Sequence, residues 1–224
     1  ELRTPLNSMI LLAKDLVSDR YGNLNDEQIE DAKIIFDGSN DLLSLVNDIM
    51  DLSKVEAGML TVNYDVLILK TLTANLQRLF NPVSTSRNLK FEVDIADTVP
   101  DSIITDGQRL EQILKNFLSN AFKFTDTGKV ILRVSSLRAG IQYGLKECEN
   151  QNLLVFSVID TGIGMPEHEQ QLAFNAFQQL DGTTSRKHGG TGLGLSISLE
   201  LASLLGGEIL LDSKVDEGSS FSLY

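Results

Sequence analysis

Apolar residues return every seven positions through the opening of the chain, and no other pattern in it restricts the fold as tightly. Leu2, Met9 and Leu16 form one such row, with Leu6, Ile10, Ala13 and Val17 filling the same face. After Tyr21-Gly22-Asn23-Leu24-Asn25 two further rows begin: Ile29, Phe36, Leu43 and Met50, and Ile35, Leu42 and Ile49. A seven-residue apolar repeat puts its members on one stripe of an α-helix and selects packing along a coiled-coil-like seam. The spacing therefore predicts two helices joined by a short loop. Asn25, with Asp26 and Glu27 behind it, supplies a cap and acidic groups for the positive end of the second helix, and Gly58 supplies a stop. The second helix carries more apolar stripes than one hairpin partner can cover. A homodimer forming a four-helix bundle would bury the surplus, with Phe36 and Leu43 among its contacts; packing on the rest of this chain would bury it equally well.

Beyond position 60 the period changes. Strand-like runs at Leu60–Leu69, Leu89–Ile95, Lys129–Ser135, Leu153–Ile159, Glu208–Asp212 and Ser219–Leu223 are interspersed with helical patterns at Leu69–Ser86, Gly107–Phe124, Pro166–Phe177 and Leu193–Leu205. The polar segment 136–152 reads as a hairpin loop. The expected fold class is α+β: an N-terminal antiparallel helical hairpin, residues 1–58, followed by an α/β layer domain, residues 59–224.

Composition narrows the function. Of 224 residues 19 are Lys or Arg and 31 are Asp or Glu, a net charge of −12, and the first sixty residues hold 5 basic against 12 acidic ones. Phosphate backbones are bound by Lys and Arg, so this balance argues against a nucleic acid as the main partner but not against a small anion in a locally basic pocket. Cys148 is the lone cysteine, which leaves no intrachain disulfide and no thiolate metal cluster. Met9 to Ala13 is the longest apolar run near the start, far short of the ~20 residues of a membrane span. No secretory leader is visible. A cytoplasmic chain without direct membrane contact is expected.

Three motifs carry chemistry. Gly189-Gly190-Thr191-Gly192-Leu193-Gly194-Leu195 runs into an apolar helical pattern. Glycine lets backbone approach a ligand, and a helix N-terminus offers unpaired N–H groups and a positive dipole end to phosphate. Arg186 and Lys187, just before it, favour an anion-binding lid. No Gly-Lys-Ser/Thr closes a Walker loop, and no strand leads in as a dinucleotide fingerprint requires. Asp160-Thr161-Gly162-Ile163-Gly164-Met165 follows an apolar strand. A carboxylate at such a strand end can accept from an exocyclic amine such as that of adenine, or it can cap its own turn. Asn116, Asn120 and Lys123 share one helix face. Amide carbonyls suit a Mg2+ that keeps water and phosphate ligands, and an ammonium suits a phosphate, though a solvated polar stripe has the same spacing. His168 and His188 read as solvent-exposed rather than as a metal pair.

On these residues the chain resembles a sensor histidine kinase core over essentially its whole length. Glu1-Leu2-Arg3-Thr4-Pro5-Leu6-Asn7 resembles the phosphoacceptor box without its leading histidine, and Asn116 through Thr125 resembles the asparagine box. Asp160 to Gly164 and Gly190 to Leu195 resemble the first and second glycine boxes. Phe174-Asn175-Ala176-Phe177 resembles the phenylalanine box, with Ala176 where the family often has proline. The stretch from Gln178 to Gly189 is most similar to hybrid kinases, which carry attached receiver domains.

The resemblance implies a dimerisation and histidine-phosphotransfer hairpin followed by an α/β sandwich of the GHKL ATPase type, with ATP and Mg2+ as cofactors. Asp160 would read the adenine amino group in a loop shaped by Gly162, Gly164 and Met165, and Phe124 would pack near the base. Asn120 would ligate Mg2+ with Asn116 beside it, and Lys123 would approach the phosphates. Arg186 and the segment Gly190, Thr191, Gly192, Leu193, Gly194 and Leu195 would cover them. Glu1 would take the proton of the attacking imidazole, and Thr4 would position water for a phosphatase direction. The implied activity moves the γ-phosphoryl of Mg-ATP to a histidine expected just before Glu1, then to an aspartate of a response-regulator receiver domain. Such a transfer is mostly positioning and charge neutralisation. A pseudokinase that binds nucleotide and signals through its hairpin would carry the same motifs.

Overall fold

A computed structural model of the chain describes residues 3–20, 22–56, 59–137, 153–176, 178 and 192–224. The chain divides into two compact units, Glu1–Leu60 and Thr61–Tyr224.

The first unit is a hairpin of α1 (Arg3–Val17) and α2 (Asp26–Glu56). Asn25 caps α2 reciprocally: its Oδ1 accepts from the Gln28 amide at 2.8 Å, and Gln28 Oε1 accepts from the Asn25 amide at 3.0 Å. The seam within the hairpin runs through Leu6 and Ala13 of α1 and Ala32 and Ser39 of α2, all buried. Ile29, Phe36 and Leu43 lie half-buried in that same row of α2, at alternating steps of three and four. The remaining rows stay outside. Met9, Leu12 and Leu16 on α1 and Ile35, Leu42 and Ile49 on α2 are exposed. Phe36 and Leu43, expected among the contacts of a dimer, are thus partly covered within the hairpin, and the more exposed stripe is the one through Ile35, Leu42 and Ile49. Gly58, the expected stop, lies outside the described residues.

In the second unit the order is β1 (Asp65–Ile68), α3 (Leu69–Ser86), β2 (Lys90–Ile95), β3 (Ser102–Thr105), α4 (Gly107–Phe124), β4 (Lys129–Leu137) and β5 (Leu153–Asp160). Then come α5 (Glu167–Gln170), a 3-10 turn at Leu172–Phe174, α6 (Gly194–Leu204), β6 (Ile209–Lys214) and β7 (Gly218–Leu223). The sheet order is β2-β4-β5-β7-β6, parallel between β2 and β4 and antiparallel elsewhere, while β1 and β3 form a separate antiparallel ribbon. Val130, Leu132 and Val134 of β4 and Val158 of β5 are fully buried beneath α4, with α3 and α6 flanking it. Residues alternate across a strand, so the other face shows Arg133, whose Nε lies 2.9 Å from Asp94, and Lys129, 3.6 Å from Glu92. Among the described residues no helix is long and apolar enough to cross a membrane.

α4 owes its place to a clean apolar face: Leu110, Ile113, Leu114, Phe117, Leu118, Ala121 and Phe122 are all buried. Phe122 stacks on Phe80 of α3 at 5.5 Å and meets Phe91 of β2 edge-on at 5.4 Å. Two predicted elements come out shorter. The Leu60–Leu69 run contracts to β1, and the Pro166–Phe177 helix breaks after Gln170, where Phe174 turns to meet Phe221 edge-on at 6.3 Å. β3 is four residues of Ser-Ile-Ile-Thr, too short for its period to register. Leu137 and Leu153 face each other across β4 and β5, so Ser136 and Leu137 of the expected loop lie in the strand, and its remaining residues lie outside the described ones.

The start of α4 is held by Asp106, 5% exposed. Its Oδ1 accepts from the amides of Gln108 and Arg109, each at 3.1 Å, and its Oδ2 accepts from the Asn63 amide at 3.0 Å. Burial opposes ionisation, but these hydrogen bonds and the Arg109 charge outweigh it and bring the carboxyl below its ordinary value of 3.8. A depressed carboxyl contributes stability that is full above the unfolded value and is lost as pH falls through the lower folded one. Asp106→Ala is therefore expected to cost about 1–2 kcal/mol at neutral pH. In a urea denaturation series that gap should hold down to pH 3.8 and narrow only below it.

Candidate nucleotide site

The last four carbonyls of an α-helix have no partner within it. In α4 these belong to Ala121, Phe122, Lys123 and Phe124, and three residues meet them. Thr125 Oγ1 donates to the Ala121 oxygen at 2.7 Å. Arg87 Nη1 donates to the Phe122 oxygen at 2.7 Å and to that of Lys123 at 3.4 Å. The Ile163 amide donates to the Phe124 oxygen at 3.2 Å, which brings the loop after β5 onto the end of α4.

That loop starts at Asp160, 6% exposed, whose Oδ1 accepts from the Gly162 amide at 2.8 Å and the Ser219 amide at 3.3 Å. No hydrogen bond among the described residues engages Oδ2. Burial pushes the Asp160 carboxyl up, against the opposing pull of the two amides. The β6–β7 turn closes the loop's other side: the Asp216 amide donates to the Ile163 oxygen at 2.8 Å, and the Met165 amide to Ser213 Oγ at 2.8 Å. Gly164 has φ +62°, and a Cβ there would collide with the Lys214 carbonyl oxygen, so the close approach of turn and loop requires glycine.

Further back on α4, Asn116 Nδ2 donates to Ser198 Oγ at 2.9 Å, and Ser198 Oγ donates to the Gly194 oxygen at 2.9 Å. Asn116 is thereby a strut under the first turn of α6, packed so closely that a Cβ at Gly194 would strike its Oδ1. Asn120, one turn on, is half-buried and makes no side-chain hydrogen bond among the described residues. Lys123 is half-buried, its Nζ 4.9 Å from the centre of the Phe124 ring, and burial draws its pKa down. Phe124 itself is 37% exposed. Leu193, fully buried, and Gly192, at φ +68°, lead into α6, whose N-terminus has no side-chain cap; Leu195 is half-buried in its first turn.

The structure thus gathers Asp160, Gly162, Gly164 and Met165 against the end of α4, beside Lys123 and Phe124, and ties Asn116 to α6 through Gly194. Arg186, Gly190 and Thr191 lie outside the described residues, as do Glu1, Phe177, His188 and Cys148. Thr4 belongs to the hairpin unit, exposed on α1, where its carbonyl accepts from Ser8 Oγ at 3.2 Å. His168 is exposed, 3.8 Å from Glu169. No cluster of three or more His, Cys, Asp or Glu able to hold a metal ion occurs among the described residues. The unpartnered Asn120 amide fits an ion that takes one protein oxygen and leaves its other positions to phosphate and water. Arg87, Ser213 and Ser219 were not legible as site residues, because their partners lie 35 or more positions away and no local motif marks them.

Residues 1–58 match the His Kinase A (phospho-acceptor) domain, and residues 105–224 match the histidine kinase-, DNA gyrase B-, and HSP90-like ATPase family. The chain is 38% identical to the circadian input-output histidine kinase CikA of Synechococcus elongatus over all of its own length and 28% of that protein's. It is 40% identical to the hybrid signal transduction histidine kinase B of Dictyostelium discoideum over 99% of its own length and 11% of that protein's. The chain thus spans less than a third of these curated relatives. The crystal structure of full-length ShkA in complex with AMPPNP superposes with a TM-score of 0.77 at 29% identity, over 99% of this chain and 43% of that one. By both matches, in this order along the sequence, the chain belongs to the histidine kinase family, a phospho-acceptor hairpin joined to a GHKL-type ATPase domain.

Proposed function

We propose that this chain is the catalytic core of a hybrid-type sensor histidine kinase, which moves the γ-phosphoryl of ATP to a histidine just before Glu1 and then to a receiver-domain aspartate. The observation that carries the reading is the Asp160 carboxylate, buried on a loop locked to α4 with Oδ2 open to accept from the adenine amine. Phe124 offers its ring to the base, and Lys123 reaches the phosphates as a point charge. Asn120 holds Mg2+, which when bound neutralises phosphate charge. The start of α6, with Gly192, Leu193 and Gly194 leading in, turns the positive end of its dipole toward the phosphates, and Arg186, Gly190 and Thr191 complete the cover. Asn116 acts through α6, setting where that helix begins. Glu1 takes the imidazole proton, and Thr4 orients water when the receiver is dephosphorylated. The protein works in the cytoplasm as a homodimer and does not take nucleic acid as its partner.

Extending the chain upstream through its native residues and incubating it with γ-labelled Mg-ATP should give an acid-labile, alkali-stable adduct. Bound ATP with no label would overturn the kinase reading in favour of a pseudokinase. Asp160→Asn should weaken ATP binding by about 1–3 kcal/mol, since a buried acceptor is exchanged for a group that can also donate. Because the Asp160 carboxyl is raised, wild-type affinity should begin to fall on acidification at a pH above that of an ordinary aspartate. In calorimetric titrations Asp160→Asn should lack that extra fall.

The exposed row Ile35, Leu42 and Ile49 favours a dimer that closes on this stripe. Leu42→Glu is expected to give a monomer by light scattering. A dimer unaffected by that change would place the interface elsewhere.

A further inference from the structure

We infer that Ser213 is the positioning residue of the loop that reads the base, an assignment that rests on the nucleotide reading of Asp160. Ser213 sits on β6 opposite Ser219 of β7. Its Oγ lies 2.8 Å from the Met165 amide, 3.0 Å from the Gly218 carbonyl oxygen and 2.9 Å from Ser219 Oγ. A hydroxyl has one proton and two lone pairs. The Gly218 carbonyl can only accept, so it takes the Ser213 proton. The Met165 amide can only donate, so it fills one lone pair. The Ser219 hydroxyl must then donate into the other, and all three contacts are satisfied in one arrangement.

The same residue holds the loop a second time through its main chain. Gln170 Nε2 donates to the Ser213 oxygen at 2.7 Å and lies 3.4 Å from the Met165 oxygen. Both ends of the Met165 residue are therefore referred to Ser213, one residue beyond Gly164. On the neighbouring strand the Ser219 amide holds Asp160 Oδ1 at 3.3 Å. Ser213 thus fixes the far end of the loop through Met165 and the near end through Ser219, and the open Asp160 Oδ2 is aimed by both. It touches no reacting group; it acts by fixing where Asp160 stands.

Replacing the hydroxyl leaves the Met165 amide without its acceptor and the Ser219 hydroxyl free to turn. In the full chain, Ser213→Ala should raise the amide hydrogen-exchange rate of Met165 about tenfold without nucleotide and weaken ATP binding about tenfold. Ser213→Thr keeps the hydroxyl and should bring both back to within about twofold of wild type. Unchanged Met165 exchange in Ser213→Ala would overturn the clamp. Faster exchange with unchanged ATP affinity, or equal losses in the Ala and Thr variants, would overturn its positioning role. Wild-type protein that binds no ATP would defeat the nucleotide reading, leaving Met165 exchange to decide the clamp by itself. Should Ser213→Ala not fold, Ser213→Cys, whose sulfur is a poor acceptor, carries the same expectations.

Discussion

The end of α4 is where the second unit converges. A helix terminus buried in a protein must find partners for four carbonyls, and α4 finds them in Thr125, in Arg87 from the end of α3 and in Ile163 from the loop after β5. The third of these matters most, because the residue that supplies the amide stands three positions from Asp160. Closing the helix and placing the carboxylate are therefore one event. The aromatic contacts of Phe122 with Phe80 and Phe91 hold the same turn from inside the core. Movement of that turn would disturb Lys123, Phe124 and Asp160 together.

Rigidity is unevenly distributed around this point. The Asp160 side is tied down by hydrogen bonds from β6, β7 and the turn between them, and Gly164 lets that turn approach the loop. The α6 side is joined to α4 by a strut of Asn116, Ser198 and Gly194. Asn120 has been left out of both networks. A half-buried amide with no side-chain hydrogen bond among the described residues leaves its oxygen available to a ligand, as the proposed role of Asn120 needs. The hairpin unit follows a comparable division of labour: one stripe of α2 closes on α1, and a second, equally apolar, stays exposed for another surface.

Local rules made much of this legible. The limits of α3 and α4, the cap at Asn25 and the strand ending at Asp160 follow from periodicity, Asx capping and glycine chemistry, which act over a few residues. The three motifs were read from spacing because the functional groups of α4 sit on one helix face. What stayed hidden acts at long range. Arg87 reaches a carbonyl 35 positions on, and Ser213 meets Met165 across 48. Past the break after Gln170, Phe174 meets Phe221 from β7, a contact no local pattern marks. Periodicity also leaves the two stripes of α2 equivalent, since both have the same spacing and only the position of α1 tells them apart.

The proposed nucleotide selectivity depends on Asp160 being an acceptor that is buried and already half-engaged. Adenine presents an amine to such a group, whereas guanine presents a carbonyl oxygen at the corresponding position and would set two acceptors against each other. Calorimetric titration with Mg-ATP and Mg-GTP side by side tests this most directly. The proposed role of Asp160 requires ATP to bind at least about tenfold more tightly, a difference of about 1.4 kcal/mol, with the preference reduced in Asp160→Asn. Equal affinities in the wild-type protein would contradict the assignment of Asp160 and the account of the site built upon it.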